Sequence, residues 1–323
     1  VYLLKLLEAS RDHHPGRLTA LLERDLFSYA DVPYDIRPYE DIVRSPQDTI
    51  ELNRQRQRAT EERVERIGSD GRLVQRDGEI LHVNLAEKLL VPILAKLSSL
   101  VPGAGIWMNT MRPEWNDANN ALVGNGASVV TACYLYRHLG VCADLLAEGP
   151  RRLRLSVPVI EWMDSVGTAV GAHANDTGDD RLRRRFMDAA GRAFSGYRRV
   201  YHGGMGERTR VESSRVVNML RQARDLVAET IRSNRRDDGL YHAYNILHLG
   251  DGDAAVERLP LMLEGQVAAL SSSLLAPTEA VALLDALRAS DLYRADQRSY
   301  LLYPAKRLPA FADKNRVPDS ILD

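Results

Sequence analysis

The sequence predicts an all-α protein, on three observations. Apolar residues recur at helical spacing through most of the chain, and short loops join these segments in the manner of paired helices. Stretches with strand character are too few to build an α/β sheet. No signature repeats at a period of roughly 20 to 50 residues, so a regular solenoid is not expected.

Taken in order, Val1 to Ser10 and Arg17 to Ser28 are apolar-striped and separated by His14-Pro15-Gly16. Ser45-Pro46 opens the next predicted helix, because serine can cap and proline suits the first turn. That helix runs to about Ile67 and is very polar (Gln55, Arg56, Gln57, Arg58, Glu61, Glu62, Arg63), as an exposed outer helix would be. Ser69 to Asn84 breaks the period. Its turn dipeptides Asp70-Gly71 and Asp77-Gly78, beside Leu73-Val74 and Ile80 to Val83, predict a short β-hairpin. Helices are then expected over Leu85–Leu100, Gly126–Ala147, Ser156–Ala172, Asp179–Tyr201, Val211–Asn234, Arg258–Leu274 and Pro277–Ala289. The tail after Ser290, with Tyr300, Tyr303-Pro304 and Leu308-Pro309, reads as irregular chain covering an apolar patch. No low-complexity linker divides the sequence, so residues 1–323 are expected to form one domain. Val1 already has the character of mid-helix, which suggests a piece of a longer polypeptide.

Composition narrows the function. The 323 residues are 45% hydrophobic and 27% charged, enough for a sizeable core. Net charge is -1, from 43 basic and 44 acidic residues, which disfavours a dedicated nucleic-acid binder. No apolar run approaches the roughly 18 residues of a membrane span, and no signal peptide is evident; cytoplasmic placement is favoured. Cys133 and Cys142 fall on one helical segment about 13 Å apart, beyond disulfide reach.

One segment carries chemistry. Trp107 to Gly126 holds two tryptophans, a cluster of asparagines, Arg112, Glu114 and Asp117, flanked by Gly103, Gly105, Gly124 and Gly126. Indole rings stack on the apolar faces of sugars, and Asn, Asp and Arg satisfy the hydroxyl rim. Cleaving an acetal also needs a carboxylic acid beside the glycosidic oxygen, a role open to Asp117 or Glu114. The competing reading is a polar loop in which Asn116, Asp117 or Asn119 caps the following helix and Trp107 and Trp115 anchor the core.

Glu114-Trp115-Asn116-Asp117-Ala118-Asn119-Asn120 resembles the Asp-Trp-Asn-Asp-Gly-x-Asn motif of the inverting disaccharide phosphorylases of the cellobiose phosphorylase type. The match covers about seven residues, with Glu114 and Ala118 replacing the first Asp and the Gly. The resemblance implies an (α/α)6 toroid, the six-hairpin fold, with Asp117 as general acid and Glu114 second. It also implies a sugar held by Arg112, Trp115, Asn116, Asn119 and Asn120. No cofactor is implied beyond phosphate as co-substrate. Such a toroid needs twelve helices; the roughly ten counted from periodicity leave the rest expected before Val1 or in misread segments.

A hydrolase of this kind needs a second carboxylate across the substrate, whereas a phosphorylase uses phosphate as nucleophile and supplies donors for it. Glu264, inside the apolar Leu261 to Leu270 stretch with Gln266, is the expected base. Apolar surroundings desolvate a carboxyl unless a cation or donors compensate, and a structural ion pair with an arginine is the alternative. His242, Tyr244 and Asn245 form a polar cluster that could add a sugar platform, or could be a strand with one alternating face. Glu161 is a weaker candidate, and Glu87 is expected to pair with a base on its own helix. Arg181 to Arg185 and Arg151 to Arg154 read as solvated helix faces. The histidines lack zinc-site spacing, and no Gly-x-Ser-x-Gly elbow exists.

The sequence thus predicts a glycosidic-bond-cleaving enzyme acting with inversion on an oligosaccharide or glycoside, by hydrolysis or phosphorolysis. The contrasting reading is a non-catalytic glycan-binding or helical scaffold protein.

Overall fold

The computed structural model describes residues 1–109, 122–173, 178–305 and 309–314. It corrects the fold class: the protein is a mixture of α and β, with 54% of the described residues in helix and 17% in strand and a five-stranded antiparallel sheet, and not an all-α (α/α)6 toroid.

The central helices arise where the periodicity is strongest. Helix α6 (Val129–Ala147) and helix α9 (Ser213–Arg232) pack face to face. Val216, Leu220, Ala223, Val227 and Ile231 recur at three- and four-residue steps and meet Ala132, Leu135, Leu139, Cys142 and Leu146 in the main core. Both cysteines are buried and free. Helix α5 (Leu85–Leu97) joins the same core, capped by Asn84, whose side chain accepts from the Glu87 amide. Helix α7 (Val157–Ala172) packs on helix α8 (Asp180–Tyr201) through a stack of rings. Trp162 lies between Phe194, with centroids 4.8 Å apart and planes at 6°, and Tyr197, at 4.4 Å and 23°.

The five-stranded sheet runs in the order β11-β10-β7-β6-β5, every pairing antiparallel. Its strands are β5 (Leu100–Val101), β6 (Gly105–Trp107), β7 (Gly126–Ser128), β10 (Tyr244–Leu249) and β11 (Ala254–Arg258). Three of them are only two or three residues long, below the length at which alternation can be read from a sequence. Glycines permit them. Gly105 has φ +128, and a Cβ there would lie 2.6 Å from the Ser128 backbone, so only glycine allows β6 to approach β7. Tyr244 to Leu249 follows the strand alternative for that segment. Chain predicted as the start of a helix at Arg258 is the end of β11, and helix α10 spans Leu263–Ser271.

Other departures have local causes. The helix predicted from Ser45 is replaced by a short helix α3 (Tyr39–Arg44), which Ser45 ends, and strand β2 (Ile50–Leu52), paired with β1 (Tyr34–Ile36). Helix α4 (Arg54–Ile67) begins only at Asn53, whose side chain accepts from the Arg56 amide; none of its residues is buried, as its polarity implied. The Asp77-Gly78 hairpin forms between β3 (Gln75–Arg76) and β4 (Glu79–Ile80), with φ of 53° and 84° at the two turn residues. Arg152–Ser156 is not a helix face but strand β8, paired with β9 (Arg208–Glu212), its arginines exposed and Leu153 and Leu155 buried. The tail forms a small hairpin of β12 (Tyr293–Arg294) and β13 (Ser299–Tyr300). After it, the Leu302 carbonyl accepts from the Leu263 amide at the start of α10.

Two charged side chains join layers. Arg183, within the run read as a solvated face, is buried; its guanidinium donates to the carbonyls of Pro102 (2.7 Å) and Ala254 (2.6 Å) and to Asp180, clamping α8 to both edges of the sheet. Glu87 pairs not with a base on its helix but with Ser156, accepting from its amide at 2.7 Å and its hydroxyl at 2.9 Å. Burial pushes the Glu87 carboxyl up, against these hydrogen bonds and the nearby Arg208. No helix among the described residues is long and apolar enough to cross a membrane.

Candidate functional site

Three cavities adjoin one another along α5. The first, about 730 Å³, lies against α8 and the chain from Tyr29 to Glu40. The second, about 360 Å³, shares Ile36, Ala95, Phe194 and Arg198 with it. The third, about 550 Å³, shares Lys96 and Thr131 with the second and reaches Glu264. Their sizes fall within the roughly 300 to 1,000 Å³ of ordinary ligand sites.

The second cavity lies at the base of the loop singled out in the sequence. Met108, Asn109 and Val123 line it. Both ends of the loop are fixed there: Met108 donates to the Gly126 carbonyl at 2.8 Å, and Gly124 donates to the Met108 carbonyl at 2.7 Å. The Trp107 indole N–H donates to the Gly124 carbonyl at 2.8 Å and the ring is buried, so Trp107 is a core anchor and not a sugar platform. Gly124 has φ +92, and a Cβ there would meet the Pro46 carbonyl oxygen at 2.8 Å, which explains one of the flanking glycines. The expected acid Asp117, with Glu114, Arg112, Trp115, Asn116, Asn119 and Asn120, lies outside the described residues.

Glu264 stands in the first turn of α10, half-buried on the wall of the third cavity. The Tyr244 hydroxyl, at the start of β10, donates to its Oε2 at 2.9 Å. Those two predicted residues are therefore brought together. The others are held elsewhere. The Asn245 amide donates to the Ala104 carbonyl (2.6 Å) and to Asn234 (2.8 Å), fixing the sheet. The Gln266 side chain is buried and exchanges hydrogen bonds with the backbone of Tyr241, donating also to the Met262 carbonyl. Neither is placed to hold a sugar. His242 lines a separate cavity of about 510 Å³ with Arg236, Asp238 and Arg258, and its Nδ1 lies 2.8 Å from the Leu259 carbonyl. Burial draws its pKa below the ordinary histidine value. Glu161 is exposed at the surface of α7.

The chain matches no model of a known protein family and no curated protein.

Several site residues were not anticipated. Lys96 and Thr131 line both the second and third cavities, and His138 lines the third together with Glu264. Burial takes the His138 imidazole down to about 4, so it is neutral at neutral pH. A signal existed for two of these: Lys96 is one of five lysines in an arginine-rich chain and sits in an apolar helix, and His138 is alone in one. Phe194, Tyr197 and Tyr201, three and four residues apart on α8, form an aromatic stripe. Among the described residues no cluster of His, Cys, Asp and Glu is arranged to hold a metal ion.

Proposed function

We propose that the protein is a carbohydrate-active enzyme that cleaves a glycosidic bond with inversion. Asp117 protonates the leaving oxygen. Glu264 deprotonates a water that attacks the opposite face of the sugar, and the Tyr244 hydroxyl orients the Glu264 carboxylate during that step. The observation that carries the reading is the connection of the cavities: the one Glu264 lines adjoins the one at the base of the loop bearing Asp117. Neutral His138 and the apolar wall of Leu4, Ile93 and Leu135 would exclude water from around Glu264.

Phosphorolysis is the second reading. Lys96 and Thr131, one cationic group and one hydroxyl between the two cavities, are the donor types that would hold a phosphate nucleophile. The test is turnover on a panel of oligosaccharides with and without inorganic phosphate. Free sugar of inverted configuration without phosphate means hydrolysis; sugar 1-phosphate formed only with phosphate means phosphorolysis. Binding without turnover of any member would place the protein among glycan-binding scaffolds.

A further inference from the structure

The first cavity contains a cation without a counter-charge among the described residues. Of the arginines around it, Arg56 is paired with Asp35 at 2.6 Å and Arg192 with Glu40 at 2.9 Å. Arg199 is exposed at the rim. Arg198 is half-buried, and no carboxylate among the described residues lies within ion-pair distance of it. Its Nη2 donates to the Arg37 carbonyl at 2.9 Å and to the Ser195 hydroxyl at 3.0 Å, both neutral, and its Nε–H is buried without a partner. Desolvation lowers its pKa to about 10. A guanidinium taken out of water and left unpaired destabilises the fold unless something repays it.

The group is also held in one orientation. Its Cζ lies over the Phe194 ring, 4.4 Å from the centroid, Phe194 stacks on buried Trp162, and Ser195, which accepts from Arg198, also accepts from the Tyr39 amide at 3.0 Å. With Nη2 engaged and Nε buried, the group left to a ligand is Nη1, held without further loss of freedom for a charge-assisted hydrogen bond to a carboxylate or another oxyanion. Its place is the junction of the first and second cavities, so a ligand extending from the base of the Asp117 loop passes it. Beyond it the first cavity offers Tyr34 and Tyr201, aromatic rings against which sugar units can lie.

We propose that the substrate is an anionic saccharide, and that Arg198 binds the charged group of a sugar unit in the first cavity. This deepens the reading of the protein as a glycoside-cleaving enzyme and rests on it. Arg198 is a specificity-determining residue: it does not reach the reacting bond, but it selects a chain whose acidic substituent lies one or more units away from it.

The test is calorimetric binding to the full chain of matched pairs: uronate trisaccharides (galacturonate, glucuronate, mannuronate) and their neutral methyl esters, with inorganic phosphate alone as a third probe. The expected result is one uronate bound at least about ten-fold more tightly than its ester, the scale of a charge-assisted hydrogen bond, with the preference lost in Arg198→Met. Because that variant also loses a bond to the Arg37 carbonyl, modification of wild-type arginines by phenylglyoxal supplies a second reading. The uronate should slow modification of Arg198, mapped by mass spectrometry, and the ester should not. Equal binding of ester and uronate overturns the proposal and leaves the glycoside reading standing. A uronate preference that survives Arg198→Met also overturns it. Phosphate bound through Arg198 with no saccharide bound, or no binding of any probe, overturns both.

Discussion

The Tyr244 hydroxyl donates to Oε2 of Glu264 across 2.9 Å, joining the first strand residue of β10 to the first turn of α10. That bond holds one oxygen of the carboxylate in place beside a cavity. If Glu264 is the base, Glu264→Gln lowers turnover by at least about a hundred-fold, the scale of general-base catalysis. Tyr244→Phe, which removes only the orienting bond, lowers it by about ten-fold at a stability cost of about 1 kcal/mol. Initial rates and thermal melts of the two variants check this; equal rates for wild type and Glu264→Gln remove Glu264 from the mechanism.

His138 makes stability fall in mild acid. Its folded pKa, about 4, lies below the ordinary 6.5, so the unfolded chain takes up a proton before the folded one does. The contribution of the neutral, buried ring is complete above pH 6.5 and is lost as pH falls toward 4. His138→Phe should flatten urea-unfolding stability across that window. An unchanged slope would mean that His138 titrates in the folded protein as it does in water.

A second acid-sensitive contact lies beside the first cavity. Asp31 meets Arg63 at 2.5 Å and the His202 Nδ1 at 2.9 Å. Burial alone would raise its carboxyl, but the hydrogen bonds from His202 and Arg63 outweigh it and leave the pKa below the ordinary 3.8. The contribution of ionised Asp31 is therefore present above pH 3.8 and lost as pH falls further. Asp31→Asn should lower stability at pH 7 and narrow the gap to wild type as pH falls below 3.8, measured by denaturant unfolding.

Gly105→Ala places a Cβ against the Ser128 backbone and forces a φ that alanine resists. A loss of at least about 2 kcal/mol is expected, the range of backbone strain combined with overpacking. Gly171→Ala, where a Cβ meets nothing within 4 Å, is the control and should change stability little.

What the sequence allowed to be read follows the length of each element. The faces of α6 and α9 repeat for five turns and were legible, as were the polar α4 and the Asp77-Gly78 turn. Strands β5 to β7 were not, because two or three residues hold no period and their pairing depends on close approach at Gly105, a tertiary fact. Arg152-Leu-Arg-Leu-Ser156 does alternate, but a charge run of arginines has the same composition on a solvated helix face, which masks the period of two. Polar residues near Glu264 looked alike in sequence. Only the fold separates Tyr244, bonded to the carboxylate, from Gln266 and Asn245, whose amides fasten backbone. Arg198 carries no local motif; its character comes from burial against elements far away in the chain.

The most direct test of the account is the turnover of Asp117→Asn on a glycoside that the wild type cleaves. This substitution keeps the side-chain shape and removes the transferable proton. The account predicts a fall of at least about a hundred-fold with unchanged melting behaviour. Turnover equal to wild type would contradict it.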